Sequence, residues 1–401
     1  MTDAVLSRQA FPMRRSGCPF DPPPEYARLR EEDPVAGAVL ADGMDVWLVT
    51  RHADARAVLT DPNVSGDLRS AGCPVPGGGP AIPPGVRPPF ARTDPPEHTL
   101  YRKLLLPSFT VKRVKAMRPR IREITDELLD AMAAGPGSVD LVEALALPLP
   151  SLVICDLLGI PYADHEFFQS RAKVVLSRAS TREEFHGALG ELREYMIGLL
   201  AVKRASPGDD ILTKLVAAQA SHDIPDDDLA ITAQALLNAG HETTANMISL
   251  GTVLLLEHPE ALASLRADPT LWPGAVEELL RYLSIGDLVS PRAALADVRV
   301  GDHVIRGGEG MFVLTGSANR DPLAFPDPDR FDVHRSARHH LAFGYGIHQC
   351  IGQNLARAEL EIVFEALFDR FPGLRVDTPV AELPYKMDAA LFGLHELHVS
   401  W

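Results

Sequence analysis

The chain has 401 residues, and 54 acidic residues against 39 Lys and Arg give it a net charge of -15 at pH 7. This balance argues against nucleic acid as the main partner, because phosphate binding relies on clustered Lys and Arg in a basic domain. The four cysteines are far apart, and no apolar run suggests a signal peptide or a bilayer span. We therefore expect free thiols, a cytoplasmic location and no membrane partner.

The N-terminal part of the chain combines short helical and strand-like patterns. Helical periodicity covers 22–34 and 51–62, and a strand pattern, VWLVT, lies between them at 46–50. Gly and Pro make up more than half of 72–90, so this segment cannot hold a regular element. We predict a long loop there, of the kind that serves enzymes as a lid or substrate-binding segment. A disordered insertion is the alternative.

From Tyr101 to about Leu283 nearly every segment has the apolar periodicity of a helix. The longest predicted helix begins at Pro225, before three aspartates that suit the positive end of the helix dipole, and ends at His258. Its middle is apolar on most sides, so it should pass through the core. Strand-like runs follow at 298–305, 310–316 and 394–400. The predicted class is mainly α with a smaller β part.

The middle of this long helix contains an unexpected polar segment, AGHETTA, at 239–245. A buried carboxylate such as Glu242 is costly unless it is paired or functional. An H-E-x-x-H zinc site would need a second His where Ala245 stands. Gly240 and a Thr hydroxyl that competes for a carbonyl predict a bent or opened turn, with room for water and a route for protons. A glycine packing notch with surface-facing polar residues is the alternative.

A second unusual segment, FGYGIHQCIG at 343–352, places three glycines and a histidine around Cys350. The spacing does not fit the G-x-G-x-x-G dinucleotide loop. No second cysteine forms a C-x-x-C arrangement, and structural zinc normally has four close ligands. An inert core cysteine is the alternative.

Together the two segments resemble the haem-binding loop and the oxygen-activating helix of the cytochrome P450 superfamily, in its soluble actinobacterial class I form. Further matching segments occur in the family's order at 18–34, 94–110, 277–282, 318–322 and 339–360. The resemblance covers nearly the whole chain. It implies the cytochrome P450 fold, a triangular prism-like shape with a long central helix over haem. It also implies a single domain, 1–401, whose β-rich N-terminal lobe and α-rich main body pack as one unit.

The resemblance makes Cys350 the axial thiolate ligand of the iron in haem b. Such a thiolate requires hydrogen bonds and shielding. Close wrapping of a glycine-rich backbone, the Phe343 ring and the positive end of the following helix would supply them. The other residues expected at the cofactor are Gly344, Gly346 and Gly352 in the loop and Ala239 and Gly240 on the long helix.

Haem propionates require cations and hydrogen-bond donors from separate segments. The resemblance assigns this role to His98, Arg102, Arg292 and His340. His348 also matches the family pattern in the cysteine loop.

Glu278 and Arg281, three residues apart on one predicted helix, would ordinarily be an exposed pair of little value. The resemblance makes them the buried E-x-x-R network that holds the haem-binding core together. The third arginine of this network is either Arg330 or Arg335.

Glu242 and Thr243 match the acid and alcohol pair with which the family delivers protons to activated O2. The implied reaction is monooxygenation, the insertion of one oxygen atom from O2 into a C–H bond. His241 faces either the haem or a neighbouring helix. An H2O2-driven haem peroxygenase and a haem-based ligand sensor are the alternative functions.

Electrons would come from NAD(P)H through an external ferredoxin reductase and ferredoxin, because no flavin or nicotinamide domain is fused to the chain. Residues 111–122 contain six cations and no acid, a local reversal of sign that suits an acidic ferredoxin. A solvated helix face is the alternative. The cations are Lys112, Arg113, Lys115, Arg118, Arg120 and Arg122.

Largely apolar segments match the substrate-binding regions of the family, with few charges besides Arg87, Arg92 and Arg178. An apolar wall suits a bulky lipophilic small molecule, for which the resemblance implies a polyketide, terpenoid, steroid-like compound or drug. We expect a monomer. The substrate-binding candidates are Ile82, Val86, Val175, Leu236, Leu237, Leu288, Val289, Leu391 and Phe392.

Overall fold

The computed structural model describes residues 9–74, 87–176, 180–288, 290–387 and 389–401. The contacts divide the chain into two compact units. The first contains the described residues up to His98 together with Glu277–Cys350, and the second contains Thr99–Val276 and Ile351–Trp401. The expected single domain spanning 1–401 stays a prediction.

Helices dominate the described residues. They are α1 Glu25–Glu32, α2 His52–Thr60, α3 Glu97–Leu105, α4 Val111–Ala133, α5 Pro148–Leu158, α6 His165–Leu176, α7 Arg182–Ala205, α8 Ile211–His222, α9 Asp226–Leu256, α10 Pro259–Ala267, α11 Trp272–Leu283, α12 Thr315–Ala318 and α13 Gln353–Arg370. The strands are β1 Gln9–Ala10, β2 Val35–Val39, β3 Asp45–Val49, β4 Val64–Ser65, β5 Ser138–Asp140, β6 Pro291–Ala294, β7 Val298–Val300, β8 His303–Ile305, β9 Gly310–Val313, β10 Arg375–Val376 and β11 His398–Ser400.

A six-stranded sheet in the order β1-β2-β3-β9-β6-β4 forms the framework of the first unit. Strands β2 and β3 are antiparallel, with Val35 opposite Val49 and Ala36 opposite Leu48, whereas β3 and β9 are parallel. Val35 and Val49 belong to one hydrophobic cluster, and Ala36 and Leu48 belong to another. Because side chains alternate between the faces of a strand, the sheet is buried on both faces. The strand predicted at 46–50 is confirmed, since β3 spans Asp45–Val49.

The helix α9 organises the second unit. It begins after Pro225 and spans 31 residues, close to the predicted range, and it is buried through most of its C-terminal half. Helices α5, α7 and α13 pack against it. A Cβ on Gly251 would lie 2.5 Å from the ring of Phe364 on α13, so glycine permits the close approach of these two helices. None of the helices among the described residues is long and apolar enough to cross a membrane.

Candidate functional site

Cys350 ends a tight loop whose backbone requires glycine. Gly344 and Gly346 have φ values of +68° and +73°, in the left-handed region that residues with a Cβ rarely adopt. A Cβ on Gly346 would also lie 2.3 Å from the carbonyl oxygen of Leu59. The Cys350 amide donates to the carbonyl of Phe343 at 2.8 Å, and the cysteine is exposed. The loop therefore presents one thiol on a backbone that few substitutions can reproduce.

Gly352 differs from the other two loop glycines in its backbone conformation, and its expected place beside the cofactor stays a prediction. Gly352 has a φ of -82° and directly precedes α13. Any residue adopts this conformation, so the positive φ values that require glycine in the loop are those of Gly344 and Gly346. The ring of Phe343 lies 5.8 Å from that of His340, and its shielding of the Cys350 sulfur stays a prediction.

A cluster of four basic side chains, Arg92, Arg292, His98 and His348, lies in the first unit. The rings of His98 and His348 are 4.4 Å apart. Burial lowers the pKa of Arg92, and burial with the charge of Arg92 lowers the pKa of Arg292 to about 10. Burial also lowers the pKa of His348. Like charges held together out of water favour a bound anion, and guanidinium groups bind carboxylates with matching geometry. The donor set therefore fits the two propionates of a haem.

Asp94 is the acid beside this cluster. It accepts hydrogen bonds from the Ser65 hydroxyl at 2.5 Å and the Gly66 amide at 3.0 Å, and His348 Nε2 lies 3.7 Å from its Oδ1. Burial raises the pKa of Asp94, but these partners outweigh it and lower the pKa to about 2. One ionised carboxylate beside two guanidinium groups leaves the cluster positive. Sequence reasoning missed Asp94 and treated Arg92 only as a charge in the predicted substrate loop.

The predicted contact of His340 with a propionate stays a prediction, and the structure shows which protein groups surround its ring. Its Nε2 lies 3.0 Å from Glu277 Oε2, and its Nδ1 accepts the Ala342 amide at 3.1 Å. Both side chains of the pair are buried. Through these two contacts His340 ties α11 to the segment that leads into the cysteine loop. Arg102, the remaining predicted propionate ligand, is half-buried on α3 in the second unit.

We expect a Glu277→Ala variant to be destabilised by about 2–4 kcal/mol, because it leaves the buried imidazole of His340 without its carboxylate. Thermal unfolding of this variant, of His340→Gln and of the double variant measures the coupling between the two residues. The double variant should lose little more stability than either single variant. Losses that simply add would contradict the pair.

The buried E-x-x-R network is present, and its third member is Arg335. Arg281 donates to both carboxylate oxygens of Glu278, at 2.7 and 2.8 Å, and both side chains are fully buried. Arg335 Nε donates to Glu278 Oε1 at 3.1 Å. Arg330 is exposed and pairs with Asp332 instead. The structure thus decides between the two candidates that the sequence left open.

The polar segment of α9 differs from the expected opened turn, because the helix continues through 239–245 without interruption. Thr243 Oγ1 donates to the Ala239 carbonyl at 2.8 Å, one turn back, without displacing the helix. A Cβ on Gly240 would lie 2.8 Å from Ile154, so Gly240 is a packing notch against α5. Buried His241 faces Phe168 on α6, with ring centroids 6.4 Å apart, which answers the question of its orientation in favour of a neighbouring helix.

Glu242 does not face the surface. Its carboxylate accepts a short hydrogen bond from Lys386 Nζ, which also donates to Asn246 Oδ1 at 3.0 Å. The side chains of Glu242 and Lys386 are 15% and 13% exposed, so the ion pair is largely out of water. Lys386 lies 144 positions away in the chain and belongs to no motif that sequence reasoning used.

A second buried acid, Glu359 on α13, also escaped sequence reasoning. Its Oε2 lies 3.4 Å from the hydroxyl of Thr244 on α9. Burial raises the pKa of Glu359 to about 8. The carboxyl group is therefore mainly protonated at neutral pH.

Replacing this group should change how stability depends on pH. Because the folded pKa of Glu359 lies above its ordinary value of 4.5, its ionisation favours the unfolded state, and stability is lost as the pH rises from about 4.5 to about 8. A Glu359→Gln variant should gain up to a few kcal/mol relative to the wild type across this range. Thermal unfolding at pH 5 and pH 8.5 would measure the gain. Exposed Glu382→Gln is the control, and an equal pH dependence in both variants would refute the assignment.

Most cations of 111–122 have acidic partners in the second unit. Lys112 and Lys115 are exposed members of the segment. The arginine pairs are Arg113 with Asp209, Arg118 with Glu361, Arg120 with Glu123 and Asp156, and Arg122 with Asp126. The predicted excess of positive charge is thus smaller than the sequence indicates.

The predicted substrate residues are described in part. Ile82, Val86 and Val289 lie outside the described residues. Leu288 packs against a core cluster of the first unit. In the second unit Val175 is half-buried, and the buried candidates are Leu236, Leu237, Leu391 and Phe392.

Comparison with known proteins identifies the family. The family model described as Cytochrome P450 matches residues 89–395. Cytochrome P450-SU2 of Streptomyces griseolus is 49% identical over 390 residues, 97% of this chain and 96% of the relative. Pentalenic acid synthase of Streptomyces avermitilis is 50% identical over 399 residues, 99% and 98% of the two chains. The crystal structure of the mycinamicin VIII C21 methyl hydroxylase MycCI from Micromonospora griseorubida has a TM-score of 0.92 at 43% identity, covering 98% of this chain and 100% of the other.

These matches confirm the predicted fold, mainly α with a smaller β part. Family membership implies haem as cofactor and O2 as co-substrate. The chain belongs to the cytochrome P450 family and is a cytochrome P450 monooxygenase.

Proposed function

We propose that the enzyme hydroxylates a C–H bond of a bulky lipophilic small molecule, using haem b held through Cys350 and electrons from a ferredoxin. The loop around Cys350 is the main observation in support of this proposal. Its glycines with positive φ and its exposed thiol suit a thiolate ligand that the protein holds in place. Haem supplies the oxygen-activating chemistry when it is bound.

The residues of the first unit bind and orient the cofactor in this proposal. Cys350 provides the thiolate, and Arg92, Arg292 and His348 provide donors for the propionates. The same unit contains the buried network around Glu278, which ties α11 to the segment leading toward the loop. Loss of that network should impair haem incorporation rather than rate alone.

Glu242 and Thr243 supply and relay protons. The Thr243 hydroxyl donates its hydrogen bond to the Ala239 carbonyl, so its oxygen lone pairs remain available to accept a hydrogen bond. The Glu242 carboxylate is held in place by Lys386, so it is a fixed group that can accept a proton and pass it on. Positioned acids of this kind contribute to catalysis by placing the proton where it is needed.

Substrate class is supported by apolar residues and by the names of relatives. Leu236, Leu391 and Phe392 are buried apolar members of the segments matched to substrate binding. One relative is named for pentalenic acid, and another has been crystallised with mycinamicin VIII. We propose a polyketide, terpenoid, steroid-like compound or drug as the substrate. The monomeric state and the cytoplasmic location stay predictions.

Ferredoxin docking is proposed at the start of α4, where exposed Lys112 and Lys115 lie beside ion-paired Arg113. The charge reversals Lys112→Glu and Lys115→Glu together should raise the KM for ferredoxin by roughly tenfold at low salt, and less at high salt, because exposed charges are screened. Lys173→Glu on α6, also exposed, is the matched control. An equal change in the control would place the docking surface elsewhere.

Two measurements test the proposed function. The dithionite-reduced protein with carbon monoxide should show the red-shifted Soret band of thiolate-ligated haem. Product formation with ferredoxin, its reductase and NADPH, screened over lipophilic compounds, should follow. Turnover supported only by H2O2 would favour a peroxygenase, and ligand binding without turnover would favour a sensor.

A further inference from the structure

We propose that Lys386 is a positioning residue that couples the C-terminal segment 385–394, of which residues 385–387 and 389–394 are described, to Glu242, the acid of the proposed proton-delivery pair. The inference rests on the proposed role of Glu242, and it adds a residue and a segment that the acid and alcohol pair does not include.

The contact is a built, buried network rather than a surface ion pair. Lys386 Nζ donates to Glu242 and to Asn246 Oδ1, and Asn246 is only 1% exposed. Glu242 and Asn246 are four residues apart on α9, so both face the same side of the helix. Two acceptors on one rigid element fix the position of the ammonium group, and the ammonium group in turn fixes one oxygen of the Glu242 carboxylate.

The backbone of the segment is closed around Lys386. The Lys386 amide donates to the Gly393 carbonyl at 2.9 Å, and Tyr385 forms a bridge with Leu394. The rings of Tyr385 and Phe392 are stacked, 5.5 Å apart. A displacement of one side of this turn therefore displaces the other.

Gly393 gives the segment a second contact with α9. A Cβ at this position would lie 2.1 Å from Asn246 Oδ1, so the glycine backbone packs directly on the amide that accepts from Lys386. Phe392 and Leu391, both matched to substrate binding, immediately precede Gly393. A substrate that displaces Phe392 would therefore disturb Lys386 and Asn246. The position of the Glu242 carboxylate would then depend on whether the substrate site is filled.

Removing Lys386 should free both ends of this connection. A buried carboxylate that loses its cation either becomes protonated or moves toward water, because an uncompensated buried charge is costly. At the same time the segment loses its anchor on α9, and its amides should open more often. A lysine with a merely structural role would affect the segment without affecting Glu242.

The first experiment is hydrogen exchange on the complete, haem-loaded protein, read at the Lys386 amide and its neighbours. Lys386→Met and Glu242→Gln should each accelerate exchange in 385–394, Lys386→Met by about tenfold, and Lys386→Arg should restore most of the protection. Lys203→Met is the matched control, because Lys203 and Asp210 form a similarly buried pair, 14% and 8% exposed, elsewhere in the second unit. Wild-type exchange in both Lys386→Met and Glu242→Gln would overturn the connection.

The second experiment is the C–O stretching frequency of the reduced, carbon monoxide-bound protein, which needs no substrate. Glu242→Gln should shift this frequency, Lys386→Met should shift it in the same direction, and Lys203→Met should leave it unchanged. A shift with Glu242→Gln but none with Lys386→Met would overturn the positioning role and leave the proposed function intact. No shift with Glu242→Gln would instead refute the proposed role of Glu242 itself.

Discussion

A Cys350→Ser variant should lose monooxygenase turnover by about three orders of magnitude or more. A serine hydroxyl remains protonated at neutral pH and cannot donate electron density to iron as a thiolate does, which removes the push that favours O–O cleavage. The reduced, carbon monoxide-bound variant should also lack the thiolate-type Soret band. Product formation and this spectrum are the two measurements.

Cys18→Ser is the control for this substitution, because Cys18 is also an exposed free thiol. It should keep both the spectrum and the turnover of the wild type. A thiolate-type band that persists in Cys350→Ser and disappears in Cys18→Ser would show that Cys18, and not Cys350, is the haem ligand.

An Arg281→Met variant should be destabilised by about 3–5 kcal/mol, because it leaves the fully buried carboxylate of Glu278 without its main cation. The same guanidinium donates to the carbonyls of Asn319 and Pro328 at 2.8 Å, so two further acceptors lose their partner. We expect a low yield of folded protein and poor haem incorporation. The ratio of haem to protein and the thermal midpoint measure both effects.

Arg330→Met provides the matched comparison, since its partner Asp332 lies in the same network region but Arg330 is exposed. Exposed ion pairs contribute about 0–1 kcal/mol, so this variant should remain close to the wild type. Similar losses in the two variants would show that burial does not determine the role of Arg281.

The sequence predicted elements whose signals are local. The long helix α9 is predicted from its aspartates and its apolar middle, and β3 from a short strand-like run of β-branched and aromatic residues. The glycines beside Cys350 are also predicted, because a backbone with positive φ favours glycine and so can be read from the residue type. These features depend on neighbours in the chain and not on its path through space.

The contacts that the sequence did not predict join residues that are distant in the chain. Arg330 and Arg335 cannot be distinguished from the sequence, because only the folded path of the chain brings Arg335 to Glu278. The pairing of His340 with Glu277 likewise has no local signal in the sequence. Lys386 escaped notice for the same reason, since a single lysine in a loop has no local pattern that indicates a buried partner.

The strand order of the first unit has a consequence for the synthesis of the protein on the ribosome. Strand β3 ends at Val49, yet its parallel neighbour β9 begins only at Gly310. At a synthesis rate of about 5–20 residues per second, one edge of β3 stays unpaired for on the order of tens of seconds before β9 has been made. Unpaired strand edges are prone to intermolecular association. Chaperone supply and the rate of translation should therefore limit the yield of this protein in a foreign host before its final stability does.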